Sequence, residues 1–232
     1  MNVLAIDTSN QLLGVAVSKD GEIKAEYTAN MKRNHSVGLM PAIDYVMQQT
    51  ETKSDQLDMI AVAKGPGSYT GVRIGLSTAK TMAWTLNIPI VAISSLELLA
   101  QNAHVQNILI SPFFDARRGL VYTGLYECVD GQIQVKQEDQ NIVMEQWLDE
   151  LKKYEQPVLF LSQDIVLHEE VIKERLGEFA IFPSLIDHLP RPGQLALMAE
   201  AYDKENVHEL TPNYIRLVEA EVKWLKEQEK NG

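Results

Sequence analysis

The first hundred residues switch between two hydrophobic periods. Val3 to Asp7 is a short apolar run that ends in Asp7-Thr8-Ser9-Asn10, which reads as a buried strand closed by a turn. Leu13 to Ser18 reads as a second strand. Lys19-Asp20-Gly21-Glu22 is a hairpin signal, and Ile23 to Thr28 returns as a third strand, completing an antiparallel meander. The period then becomes helical. Leu39, Met40, Ile43, Val46 and Met47 fall at i, i+3, i+4, i+7 spacing and predict a helix over 37–49, with Ser36 as its cap. Met59 to Ala63 reads as a buried strand, Gly65 to Gly71 as a loop, Val72 to Leu86 as a helix and Ile90 to Ile93 as a strand. Ser94-Ser95 opens a further helix carrying Leu96, Leu98, Leu99 and Ala103.

The same style then restarts. Strands are expected at Ile108–Asp115, Leu120–Cys128 and Ile133–Lys136, joined by turns at Ala116-Arg117-Arg118-Gly119 and Val129-Asp130-Gly131-Gln132. Helices are expected at Glu145–Lys153, Ile165–Leu176 and Pro192–Tyr202, the last with proline in its first turn, and short strands at Pro157–Leu161 and Phe179–Phe182. A meander followed by alternating strands and helices thus occurs twice. The expectation is an α/β protein of two halves, 1–103 and 104–232, each a mixed sheet with packed helices, broken near 104–107. The last helix is free to dock back on the first half.

Composition narrows the function. The chain has 232 residues, 45% hydrophobic and 23% charged, an ordinary globular balance that excludes disorder, collagen-like repeats and a disulfide scaffold. With 21 basic and 32 acidic residues the net charge is −11, so by itself the chain is a poor binder of phosphate backbones. No basic leader and no run approaching ~18 apolar residues is visible, and a soluble cytoplasmic protein is expected. The single cysteine, Cys128, sits in an apolar strand and is expected to be structural. The five histidines show no paired ligand spacing; a surface or capping role is expected for each, and no metal site.

Two stretches carry candidate chemistry. Gly65-Pro66-Gly67-Ser68-Tyr69-Thr70-Gly71 connects a strand to a helix and offers backbone N–H groups at a helix N-terminus, a latent anion site. It is not a Walker loop, because Gly71-Val72-Arg73 lacks the Gly-Lys-Ser/Thr ending. The glycines equally serve a rigid connection. Asp7-Thr8-Ser9 lies at the carboxyl end of the first strand, where open α/β sheets bind ligands, although Asx-turn chemistry explains it as well.

Ala5-Ile6-Asp7-Thr8-Ser9, the segment Gly65 to Gly75, Ser94-Ser95-Leu96, Asp115-Ala116-Arg117-Arg118-Gly119 and Pro212-Asn213-Tyr214-Ile215-Arg216 occur in that order. Together they resemble the bacterial TsaB (YeaZ) family over essentially the whole chain. The resemblance implies two actin-like ATPase (ribonuclease H-like) subdomains. It implies a part in forming threonylcarbamoyladenosine beside the anticodon of tRNAs that read codons starting with A. The implied partners are the catalytic sister TsaD and the ATPase TsaE, with a homodimer when TsaD is absent and tRNA reached only through the complex.

The resemblance also tests catalysis residue by residue. Where the sister enzyme has a metal-binding His-x-x-x-His, this chain has Ser95 and Leu99, and neither replaces histidine as a ligand. The Gly-Gly pair with which actin-like ATPases hold adenosine occurs nowhere in the sequence. A non-catalytic subunit is therefore expected, with no catalytic residue, no metal and no cofactor of its own; a nucleotide at the contact with TsaD is compatible with that. Asp7, Thr8, Ser9, Gly65, Gly67, Ser68 and Gly71 are candidate vestigial phosphate-binding residues. The resemblance places the partner contact on two helices, with Met40, Ile43, Met47, Tyr69, Val72, Leu76 and Ala79 as candidates. The alternatives are an actin-like ATP-binding phosphotransferase, for which only Asp7 and Asp115 are available as acids, and a peptidase, for which no nucleophile or metal set is found.

Overall fold

The computed structural model describes residues 1–30, 34–103 and 105–215. The first half has the expected order of elements, although the helix after the glycine-rich segment begins at Tyr69 rather than Val72. Strands β1 (Asn2–Asp7), β2 (Leu12–Lys19) and β3 (Glu22–Asn30) form the meander. Helix α1 (His35–Gln49), β4 (Met59–Ala63), α2 (Tyr69–Leu86), β5 (Ile90–Ile93) and α3 (Ser95–Ala100) follow. The second half comprises β6 (Leu109–Asp115), β7 (Leu120–Val129), β8 (Gln132–Val143), α4 (Met144–Lys152), β9 (Val158–Leu161), α5 (Ile165–Leu176), β10 (Ala180–Ile181) and α6 (Pro192–Met198). The sheets have orders β3-β2-β1-β4-β5 and β8-β7-β6-β9-β10. In each, the first strand runs antiparallel to the second and parallel to the fourth. The pattern repeat is therefore a topological repeat.

Two local expectations need correction. Ser36 does not cap α1; Asn34 precedes the helix in the left-handed region, φ 86°, and no side chain closes the end. The third strand of the second half is not the short Ile133–Lys136 but the twelve-residue β8. Its Gln/Glu/Asp-rich extension hides the strand from a hydrophobic reading, because an edge strand with one wet face needs few apolar side chains.

The halves exchange their last helices. Leu4, Ile6, Val15, Ile60 and Val62 on one face of the first sheet pack under α1 and α2 through Leu39, Ile43, Val46, Leu76 and Ala79. The opposite face, Val3, Ala5, Ala61 and Val91, is covered by Leu195, Ala196 and Ala199, the first two from α6. Conversely α3 sends Leu96, Leu99 and Ala100 onto the second sheet, beside Ile110, Phe114, Tyr126 and Cys128. The boundary at residue 103 thus divides the chain but not the packing: residues 192–198 belong to the first lobe. The N-terminus of α6 is pinned by Glu26 of β3, whose carboxylate accepts from Gly193 N (2.9 Å) and Arg191 Nε (2.7 Å). His104 and the segment after Ile215, including Arg216, lie outside the described residues.

Candidate functional site

The carboxyl ends of β1 and β4 face those of β6 and β9 across a cleft of about 830 Å³. Parallel strands end there on both sides, which is where such sheets bind ligands. Asn10, His35, Gly67, Ser68 and Thr70 line one wall; Phe114, Asp115, Arg117, Tyr122 and Asp164 line the other.

Of the candidate phosphate-binding residues, Gly67, Ser68 and Gly71 line the cleft, Asp7, Thr8, Ser9 and Gly65 lie behind it, and each has a structural task. Asp7 is 3% exposed, and its Oδ1 accepts from Ser9 N (2.8 Å) and Ser9 Oγ (2.7 Å), an Asx turn that closes the strand. Burial pushes its carboxyl above the usual range, opposed by the Ser9 hydrogen bonds and by His35. Thr8 Oγ1 donates to Gly71 O at 2.7 Å. Ser68 N donates to Ser9 O at 2.7 Å, and Ser68 Oγ caps α2 by accepting from Gly71 N at 3.3 Å. A Cβ on Gly67 would lie 2.2 Å from Ser9 O, and one on Gly71 2.2 Å from Thr8 O. The glycine loop and the β1 turn are thus pressed together backbone to backbone. Gly65 completes the arrangement with φ 93°, its N–H donating to Ser95 Oγ (3.1 Å) and its carbonyl accepting from Ser95 N (3.0 Å).

Ser95 and Leu99 occupy the positions compared with metal-binding histidines. Ser95 is spent on the glycine loop, and Leu99 is fully buried in the core. Among the described residues, no three His, Cys, Asp or Glu side chains are grouped to hold a metal ion.

Three histidines depart from the surface or capping role. His35 is 9% exposed, with Nε2 2.7 Å from Asn10 O. His168 is buried against Phe113 and pairs with Asp115 Oδ1 at 3.0 Å. His188 Nδ1 accepts from Ser162 N at 3.0 Å, and burial lowers its pKa. Their partners lie 25, 53 and 26 residues away in sequence, so local spacing gives no sign of them. Cys128 is buried and free, as expected.

The partner candidates divide by burial. Met40 and Tyr69 are exposed, and Met47 is half-buried. Ile43, Val72, Leu76 and Ala79 are buried in this chain's own core. Ile43, Leu76 and Ala79 pack between the helices and the sheet, and Val72 lies against Gly65. The helix pair also exposes Val37, Met40 and Tyr45 on α1, the last with its ring 6.1 Å from that of Tyr27, and Trp84 on α2. Tyr69 stacks near Tyr214 with ring centroids 5.5 Å apart, and the Arg73 guanidinium lies 4.1 Å from the Tyr69 ring. Arg73 Nε donates to Tyr214 Oη at 2.6 Å, which ties the Asn213-Tyr214-Ile215 segment to the start of α2.

A family model described as TsaD, tRNA N6-adenosine threonylcarbamoyltransferase, matches residues 22–224. The tRNA threonylcarbamoyladenosine biosynthesis protein TsaB of Bacillus subtilis is 48% identical over 98% of this chain and all of that protein. The chain belongs to the TsaB family. Its membership places it in tRNA threonylcarbamoyladenosine biosynthesis. The YeaZ structure from Pseudomonas aeruginosa superposes with a TM-score of 0.77 over 92% of this chain and 99% of that one, at 24% identity. The ROK hexokinase of Thermus thermophilus reaches 0.51 over 87% and 99%, at 9% identity. These two likenesses concern the fold, which is that of the actin-like ATPases. No described helix is long and apolar enough to cross a membrane.

Proposed function

We propose that this protein is a non-catalytic subunit that binds and activates the TsaD transferase, with the ATPase TsaE joining the pair. The observation that carries this reading is the outer face of α1 and α2. Val37 is 73% exposed, Met40 52%, Tyr45 53% and Trp84 66%, on a helix pair whose inner face is already buried against the sheet. Large apolar and aromatic side chains left exposed on a helix pair are a usual mark of a protein contact, and methionine adapts to a partner's shape. The chemistry of the cleft favours the same reading. Ser95 and Leu99 stand where the sister enzyme's metal ligands are expected, and the glycine loop spends its groups on internal packing.

On this reading tRNA is reached through the complex, since the net charge is −11. The same helix face supports a homodimer when TsaD is absent, and a nucleotide at the contact with TsaD is compatible with it. The test is the affinity for purified TsaD by calorimetry, wild type against Met40→Glu and Trp84→Ala. Loss of at least about fivefold in each variant is expected, because truncating an interface anchor costs above ~1 kcal/mol. Unchanged affinity in both variants removes this face as the contact.

A further inference from the structure

Arg73 pairs with no carboxylate among the described residues, in a chain with 32 acids against 21 bases. Elsewhere Arg175 pairs with Asp149 at 2.9 Å, Arg191 with Glu26 at 2.7 Å and Lys64 with Glu205 at 3.6 Å. Helix α2 also carries no acid in its first turn, although a helix N-terminus favours one there. The Arg73 guanidinium lies instead against two aromatic rings, 4.1 Å from Tyr69 and 5.6 Å from Tyr214, and its Nε donates to Tyr214 Oη at 2.6 Å. Its terminal nitrogens carry further N–H donors in the fork that fits a carboxylate.

The tail of the chain orders this arginine before any partner arrives. Lys80 Nζ donates to Leu210 O at 2.7 Å, Leu210 is buried in the first-lobe core, and Asn213 N donates to Lys64 O at 2.8 Å. These contacts hold residues 210–214 beside α2 and bring Tyr214 against Arg73. A side chain already held in one geometry loses less entropy on pairing.

Arg73 shares a face of α2 with Trp84. Arg73, Ser77, Thr81 and Trp84 fall at i, i+4, i+8 and i+11, and all are exposed. Arg73 stands roughly 16 Å along the axis from Trp84, with short side chains between them that let a partner approach. This stripe contains no acid. A second copy meeting it through the same stripe leaves Arg73 unpaired, and a phosphate backbone is repelled by the net charge of −11.

We propose that Arg73 is the charged anchor of the TsaD contact and takes a carboxylate of TsaD, from an aspartate or glutamate side chain, as a bidentate pair. Tyr69 and Tyr214 are positioning residues that hold the guanidinium for it. This inference rests on the reading of α1 and α2 as the docking helices, and adds the tail to that surface.

The test is calorimetric titration of the full chain with purified TsaD at about 50 mM and about 300 mM salt, which shortens the Debye length from roughly 14 Å to roughly 6 Å. Arg73→Ala is expected to weaken binding at least about tenfold at the lower salt and to flatten the salt dependence. Arg73→Lys is expected to recover the salt dependence but not the affinity, because an ammonium lacks the fork and the ring stacking. Tyr214→Phe keeps the ring and removes the oxygen, and is expected to weaken binding about threefold. Arg73 is exposed, so its variants leave the core intact. Wild-type binding with Arg73→Ala unchanged in affinity and salt dependence overturns this inference alone. Absence of wild-type binding overturns the docking reading and this inference with it. Loss of self-association in Arg73→Ala without loss of TsaD binding, read by sedimentation of the chain alone, assigns the residue to a second copy and also overturns the inference.

Discussion

Gly71 and Gly119 are both glycines in loops or helix starts, yet different forces keep them so. A Cβ on Gly71 meets a carbonyl oxygen at 2.2 Å, and backbone must move to admit it. Gly119 has φ 74° and open space around it, so a side chain there meets only conformational strain. Gly71→Ala is expected to cost about 2–3 kcal/mol, against about 1 kcal/mol for Gly119→Ala, measured by urea unfolding. Asp139 shows a second residue-level effect. It accepts from Ser94 Oγ and Tyr126 Oη, but burial still raises its pKa. A carboxyl whose folded pKa is raised binds more protons folded than unfolded, so its contribution to stability falls as pH rises through that window. The stability of Asp139→Asn relative to the wild type is therefore expected to improve between about pH 4 and pH 7. Denaturation midpoints at those two pH values measure it; a difference that stays flat contradicts the buried-charge account.

At the scale of elements, α1 and α2 show what hydrophobic period can and cannot reveal. The spacing of Leu39, Ile43 and Val46 located the helix and its inner face, and all three are buried. Met40 belongs to the same periodic set but points outward, because α1 is apolar on more than one side. Periodicity alone cannot separate a core stripe from an adjoining contact stripe. The two sets respond differently to substitution. Leu76→Ala is expected to destabilise the fold by about 2–5 kcal/mol through a core cavity. Met40→Glu and Trp84→Ala are expected to change stability by less than about 0.5 kcal/mol while weakening association with TsaD. Chemical unfolding of the isolated chain, set beside the binding measurement, distinguishes them. The Ser94 cap of α3 was legible, since the hydroxyl accepts from Leu96 N and Glu97 N as a Ser-led helix start implies. The pairing of His35, His168 and His188 was not, because each depends on a contact between distant segments.

At the scale of the molecule, the doubled meander and the mixed sheets were readable from order and period alone. The exchange of α3 and α6 between the lobes was not, since a helix's sequence states that it has an apolar face and not which sheet receives it. This exchange makes the lobes interdependent. Residues 1–103 alone lack Leu195, Ala196 and Ala199 over one face of the sheet and leave the α3 face that covers the second sheet uncovered. That fragment is expected to show no cooperative unfolding by circular dichroism, whereas the full chain unfolds cooperatively. The glycine loop was found from sequence, and its role in packing came from the approach of Thr8 and Ser9. A two-lobed body whose glycine loop is packed against the β1 turn suits a subunit that supports another protein's chemistry. The most direct measurement is tRNA threonylcarbamoylation by purified TsaD, TsaE and the carbamoyl-adenylate synthase, with and without this chain. The account predicts that modification requires the chain and survives Asp7→Asn in it; modification that proceeds unchanged in its absence would contradict the account.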